Sequence, residues 1–372
     1  MNNQTFCILP FTEIFLGPDG NIKPCCSSLT PWGNLHTDSI DSILQSKQAK
    51  ELRQDIIDGK WNPSCIQCKN QEAQKLKSER SGDLNYFSEP IDSSFFNLER
   101  LDLRWSNTCN LACTYCYEYF SSKWAQIKGI KVNTIKDENE NSLFLLIEKQ
   151  VSSINSVILL GGEPLLQKEN LRLVDILTPG HGISILSNLA VDLKSNPLAQ
   201  KLINRSNVNW SVSFETVGDR YEYVRHNASW ELFKENVKYL HSKVDQKLEA
   251  HSLYSIYSAF NLVEFYEFIL ENNFREVHWH LLESSGESET ASVINLSPML
   301  KEKAIKEIEL CQKMYPYAPG ITQLQTIKEL FKQSTVDYSS EFLKEISAVE
   351  QQLSKKILFK DLWKDLYKDL RC

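Results

Sequence analysis

From about residue 95 onward, short apolar and β-branched runs alternate with longer segments in which apolar residues recur every three or four positions. The short runs predict strands at 98–105, 156–160, 183–187, 208–214, 249–258 and 276–282. The longer segments predict helices at about 140–152, 165–177, 230–242 and 262–272. Six strands separated by helices predict an α/β fold with a parallel sheet, wound by right-handed crossovers. A partial barrel and an open doubly wound sheet share this pattern.

The flanks read differently. Residues 1 to about 70 are rich in turn signals, with one amphipathic helix expected at 39–58, capped by Asp38 or Ser39 and ended by Gly59. A polar stretch from Lys69 to about Ser94 reads as a helix and a linker. Beyond Leu282 the strand signal fades, and 300–315, 323–331 and 342–358 are amphipathic and helical. The expected domains are 1–94, 95–290 and a helical extension at 291–372.

Composition narrows the function classes. The 41 basic residues are outnumbered by 48 acidic ones, which disfavours a broad nucleic-acid surface. No apolar stretch approaches the roughly 18 residues of a membrane span, and no basic-then-apolar leader opens the chain. A reducing cytoplasm is therefore expected. There ten cysteines need a reason other than disulfides, and eight of them fall within the first 116 residues, in two groups. That clustering points to metal centres.

One group is Cys109-x3-Cys113-x2-Cys116, just after the first expected barrel strand, at the sheet edge where α/β proteins place active sites. Three thiolates on one tight loop can ligate three irons of a cubane and leave the fourth open; a zinc knuckle is the alternative. The spacing, with aromatic Tyr115 before the third cysteine, resembles the radical S-adenosylmethionine (radical SAM) superfamily. The resemblance implies a partial (β/α)6 TIM-type barrel. It also implies a 4Fe–4S cluster on Cys109, Cys113 and Cys116, whose open iron is chelated by the amino and carboxylate groups of S-adenosylmethionine, and Tyr115 near the adenine.

Further motifs follow in order. Gly161-Gly162-Glu163-Pro164 ends the second expected strand and resembles the family's GGEP motif, which binds the methionine ammonium group. Ser187-Asn188 ends the third and is similar to a ribose-contacting pair, with Leu189 where a glycine is usual. The fourth carries Ser211 and Ser213 on one face, followed by Glu215, and Arg225 can clamp a carboxylate.

The second group is Cys7, Cys25, Cys65 and Cys68. Two separated thiolates and a Cys-x2-Cys pair, with no clustered histidine, suit iron–sulfur or zinc. The pattern resembles the SPASM/twitch auxiliary-cluster domain, here ahead of the barrel, which implies a second 4Fe–4S cluster; a zinc ribbon remains the alternative. Either Cys25 or Cys26 could be the ligand, and the resemblance favours Cys25; Cys26 then reads as a buried thiol first, with an alternate ligand or a hydrogen donor as its other readings, Cys311 as a core thiol and Cys372 as a frayed end.

The resemblance implies a flavodoxin- or ferredoxin-type electron donor and hydrogen abstraction from a substrate. A peptide is the first expectation, and a sugar, nucleotide or amino-acid derivative the second. A non-catalytic iron–sulfur or zinc scaffold is a separate class. His278 with His280, and Tyr254 with Ile256, would share strand faces. Together with Tyr221, Tyr223 and Glu215 they are candidate pocket residues.

Overall fold

The computed structural model describes residues 5–73, 75, 77–82, 92–131, 135–282, 289–331 and 334–371. Its strands are β1 (Glu13–Leu16), β2 (Asn21–Lys23), β3 (Gly33–Asn34), β4 (Arg100–Leu103), β5 (Ala112–Cys113), β6 (Ser156–Leu159), β7 (Gly182–Ser187), β8 (Val208–Ser213), β9 (Arg225–His226), β10 (Glu249–Tyr254) and β11 (Glu276–Leu281). The chain divides into two compact units, 1–107 with 132–185, and 108–131 with 186–372.

In the first unit β1, β4, β6 and β7 run parallel, in registers set by Glu13↔Arg100, Arg100↔Ser156 and Ser156↔Gly182. β2 and β3 extend the β1 edge antiparallel. Leu101, Leu103, Val157, Leu159, Ile183 and Ile185 form the sheet's buried positions. Helix Asp137–Lys149 buries Leu143, Phe144 and Ile147, and Phe144 stacks on Trp105 at 5.1 Å. Each such side chain, fully buried, contributes about 1.5–3 kcal/mol. The helix expected at 39–58 is two helices, Ile40–Leu44 and Lys47–Ile57. The break has a local cause: Ser46 accepts from the Ala49 amide and starts a new helix as its cap.

In the second unit β8, β10 and β11 run parallel, with Ser213↔His251↔His278 in one cross-strand row. Val208, Trp210 and Val212 of β8, Ala250, Ser252 and Tyr254 of β10, and Val277 and Trp279 of β11 are buried. Phe214, at the end of β8, packs against Phe233, Phe265, Phe268 and Phe274, with centroids 5.1–5.6 Å apart. The alternate positions of the three strands are polar apart from Leu253: Asn209, Ser211 and Ser213; Glu249 and His251; Glu276, His278 and His280. The expected strand 249–258 stops at Tyr254, so Ile256 lies in the turn beyond it and shares no strand face with Tyr254. Helices Pro298–Met314, Gln323–Leu330 and Ser339–Gln352 form the helical segment expected near the end of the chain. No helix among the described residues is long and apolar enough to cross a membrane.

Candidate active site

The loop 107–122 is held open by its own hydrogen bonds. Ser122 Oγ accepts from the Cys109 amide at 3.0 Å and donates to the Cys109 carbonyl at 3.2 Å. Ser121 Oγ donates to the Leu111 carbonyl at 2.7 Å, and Trp124 Nε1 to the Cys113 carbonyl at 2.9 Å. β5 pairs antiparallel with β9, setting Cys113 opposite Arg225 and Ala112 opposite His226. Cys109, Cys113 and Cys116 are free thiols. The Leu111 amide lies 3.5 Å from Cys109 Sγ, and Asn188 Nδ2 lies 3.9 Å from the same sulfur. Burial pushes the Cys113 thiol up to about 11. Cys116 is raised first by burial and then by the charges of Cys113 and Cys109. Such sulfurs ionise when a metal core neutralises them, so the donor set fits an iron–sulfur cluster.

Behind the loop lies a buried ionic group. Arg225 Nη2 donates to Glu215 Oε2 at 2.5 Å, and Tyr115 OH donates to the same oxygen at 3.2 Å. Arg225 is held well above its ordinary value by the Glu215 carboxylate, against the opposing effect of burial. Glu215 Oε1 and Arg225 Nε are buried and have no hydrogen-bond partner among the described residues. Two unsatisfied charged atoms are costly in a dry interior, and they fit a polar ligand. Thus the carboxylate next to Arg225 is the chain's own Glu215.

Ser187, the last residue of β7, and Asn188 after it fall within this unit. Asn188 Nδ2 also donates to Asn110 Oδ1 at 3.2 Å, and its Oδ1 accepts from the Ala190 amide at 2.7 Å. Leu189 takes φ 51°, the left-handed conformation a glycine would enter freely. Ser213 shares the polar face of β8 with Ser211.

The first unit holds Gly161–Pro164. Gly161 has φ 125°, and a Cβ there would stand 2.1 Å from Gln167 Nε2. Gln167 is the organiser that the sequence reading missed: it accepts from the Trp105 amide at 3.1 Å and donates to the carbonyls of Ser106 and Leu160. Glu163, fully buried, accepts from the Leu165 amide at 3.1 Å and opens the short turn Pro164–Leu166.

The same unit brings Cys7, Cys25, Cys65 and Cys68 to the wall of one cavity. Asn62 caps the turn carrying Cys65 through the Ser64 amide, and the Leu29 amide donates to the Ser64 carbonyl, tying the two loops together. Arg80, also missed from sequence, lines the cavity and donates to the Phe6 carbonyl at 3.0 Å. Burial raises Cys7 and Cys25. Cys26 is exposed and does not line the cavity, which corrects its reading as a buried thiol: β2 ends at Lys23, and the turn after it sends consecutive side chains to different surroundings. Cys311 is fully buried, and Cys372 lies outside the described residues.

The other candidate pocket residues fall into two places. Tyr221 packs among Trp230 and Phe233, while Tyr223 OH donates to Glu350 Oε1 at 2.7 Å. His278 and His280 do share a face, joined by His251, whose ring stacks on His280 at 4.1 Å. His278 Nε2 lies 3.5 Å from Glu249 Oε2, and that hydrogen bond raises His278 and helps hold Glu249 at about 2. Burial, with His280 and His278 beside it, pushes His251 down to about 3.

Residues 103–256 match the family model of the radical SAM superfamily, and residues 7–69 match SPASM, an iron–sulfur cluster-binding domain. A 7-carboxy-7-deazaguanine synthase of Clostridium acetobutylicum is 31% identical over 157 residues, covering 42% of this chain and 62% of that protein. Among solved structures, Streptococcus suis SuiB bound to S-adenosylmethionine is 14% identical with a TM-score of 0.44, over 72% of this chain and 63% of that one. The structure of anSMEcpe with bound AdoMet and Kp18Cys peptide is 17% identical with a TM-score of 0.42, over 57% and 59%. The chain spans less than two thirds of the length of each of these relatives. A radical SAM domain implies a 4Fe–4S cluster and S-adenosylmethionine, and an SPASM domain implies auxiliary iron–sulfur clusters. Both matches fall on the two cysteine groups: the chain carries a radical SAM domain over residues 103–256 and, ahead of it, an SPASM domain over residues 7–69.

Proposed function

We propose that the chain reductively cleaves S-adenosylmethionine and abstracts hydrogen from a peptide substrate. The observation that carries this reading is the braced loop with three free thiols, Cys109, Cys113 and Cys116, its first sulfur approached by the Leu111 amide and Asn188 Nδ2. When bound, the cluster supplies the electron that breaks the S–C5′ bond and yields a 5′-deoxyadenosyl radical. The chain's part is to hold and orient. Cys109, Cys113 and Cys116 would ligate the cluster. Gly161, Gly162, Glu163 and Pro164 would receive the methionine ammonium, Ser187 and Asn188 the ribose, and Tyr115 the adenine. Ser213 and Arg225 would be further cofactor contacts, Arg225 being paired with Glu215.

Cys7, Cys25, Cys65 and Cys68 would hold the auxiliary cluster; their shared cavity supports this set over one containing Cys26. A flavodoxin- or ferredoxin-type protein in the cytoplasm would supply electrons. The peptide reading rests on the resemblance of the Cys7, Cys25, Cys65 and Cys68 set to SPASM/twitch domains, the domain that residues 7–69 match. The 31% identity to 7-carboxy-7-deazaguanine synthase favours a small molecule as the second reading.

The test is anaerobic reconstitution with iron and sulfide, then dithionite and S-adenosylmethionine. 5′-Deoxyadenosine should form, and replacing Cys109, Cys113 and Cys116 by Ala should abolish it and lower the iron content. No product, with iron unchanged in that variant, overturns the reading. Deuterium carried into 5′-deoxyadenosine from labelled peptides, rather than from labelled sugars, nucleotides or amino-acid derivatives, would identify the substrate class.

A further inference from the structure

The segment that follows helix Ser339–Gln352 packs on the cysteine loop. Leu353 shares one buried apolar cluster with Ala112 and Trp124, and Cys116, Ile127 and Val349 pack around it. The chain then reverses. Ser354 takes φ 50°, where a helix end ordinarily places glycine, and the Lys355 amide donates back to the Glu350 carbonyl at 2.9 Å. A left-handed serine costs free energy, and strain of this kind persists where the surroundings impose it.

What the reversal achieves is the placement of Lys355. Its Nζ donates to the Tyr223 carbonyl, lies 4.4 Å from the centroid of the Tyr223 ring and stands 3.5 Å from His226 Nδ1. Tyr223 leads into β9, whose His226 and Arg225 are the register partners of Ala112 and Cys113. The Thr114 amide donates to the Val224 carbonyl at 2.8 Å, so the strand behind Lys355 is fastened on both sides of Cys113.

The hydrogen-bond partners of the ammonium are neutral: a carbonyl and an imidazole that its own charge helps hold neutral. A half-buried ammonium with neutral partners is favoured by nearby negative charge; Cys113, once it ligates a metal core as thiolate, and Glu350, which accepts from Tyr223 OH, are the groups that favour its protonated form. Burial pulls Lys355 down to about 8, and Cys113 and Glu350 act in the opposite sense.

We infer that Lys355 is a positioning residue of the radical SAM cluster: the reversed segment holds its charge against the Cys113 side and makes the cluster easier to reduce. This rests on the ligand set proposed above. A cubane on thiolates becomes more negative on reduction, so a nearby cation favours the reduced state, and cluster potentials respond to local charge and solvent exposure.

The test uses the reconstituted full chain with both clusters and follows the reduced-cluster EPR signal that changes on adding S-adenosylmethionine, as a function of applied potential. Lys355→Met and Lys355→Gln should both shift its midpoint to more negative potential, while Lys355→Arg should stay near the parent. Gln keeps a donor for the Tyr223 carbonyl, so it remains informative if Met impairs folding. An unchanged midpoint in a neutral variant with parental iron content and melting temperature overturns the inference. If the Cys109/Cys113/Cys116 variant keeps all its iron, the ligand assignment itself is wrong, a different result from an unmoved midpoint.

Discussion

Glu215 shows how one residue links the cysteine loop to the strand behind it. Its carboxylate receives both the Tyr115 hydroxyl and the Arg225 guanidinium, and Glu215 and Arg225 are both buried. Glu215→Gln strips the counter-charge from a buried cation, and breaking such a pair costs about 3–5 kcal/mol. We expect a loss of that size in urea unfolding, and a smaller one in Glu215→Met/Arg225→Met, where no uncompensated charge remains. Equal losses in the two variants would mean that the pair is not electrostatically coupled.

Gly161→Ala should cost stability through its positive φ, about 1–3 kcal/mol, with a further penalty from the Gln167 amide 2.1 Å from the new methyl. Unfolding midpoints measure this, and a parental midpoint would rule out the turn geometry described here. Leu189 carries an opposite lesson: its left-handed backbone is kept without glycine because its side chain is fully buried. The sequence could locate the Ser-Asn turn but not the packing that lets a leucine complete it.

At the level of elements, six of the seven parallel strands described are legible because each presents an apolar run or an alternation between helical segments. Of the strands absent from that reading, β2, β3, β5 and β9 are two or three residues long, too short for periodicity to register, and β1 lies in the turn-rich segment ahead of the alternating pattern. β1 even buries a carboxylate, Glu13, whose partner Arg100 lies 87 positions along the chain. The helix break at Ser46 depended on a single cap.

The polar face of β10 and β11 has a pH signature. Glu249, faced by Arg275, Asn209, Ser211 and His278, sits at about 2, below its ordinary value of 4.5. A depressed carboxylate stabilises the fold above its unfolded pKa, and that stabilisation is lost as pH falls from about 4.5 toward 2. His278 is raised, so its contribution is complete below its ordinary 6.5 and fades as pH climbs through the folded value. The melting temperature of Glu249→Gln should therefore fall furthest below the parent between these limits and converge with it in acid. With His278 40% exposed, the difference is about 1 kcal/mol or less. A difference that stays constant down to pH 3 would rule out this coupling.

For the whole molecule, the two thiol sets lie in different compact units, Cys7, Cys25, Cys65 and Cys68 in one and Cys109, Cys113 and Cys116 in the other. Each set is braced by bonds within its own unit: Asn62 and Arg80 for the first, Ser121, Ser122 and Trp124 for the second. Loading should therefore be separable. Two cubanes give about eight irons per chain, and either set of Cys→Ala variants should retain about four. Loss of Cys109, Cys113 and Cys116 should abolish 5′-deoxyadenosine. Loss of Cys65 and Cys68 should leave its formation measurable, because Ser121, Ser122 and Trp124, which brace the Cys109 loop, belong to the loop's own unit. Iron and zinc analysis with product quantification on the same samples decides it. If removing Cys65 and Cys68 empties both sites, independent bracing is wrong; if it releases zinc instead of iron, the first set is a tetrahedral zinc site and the chain carries a single cluster.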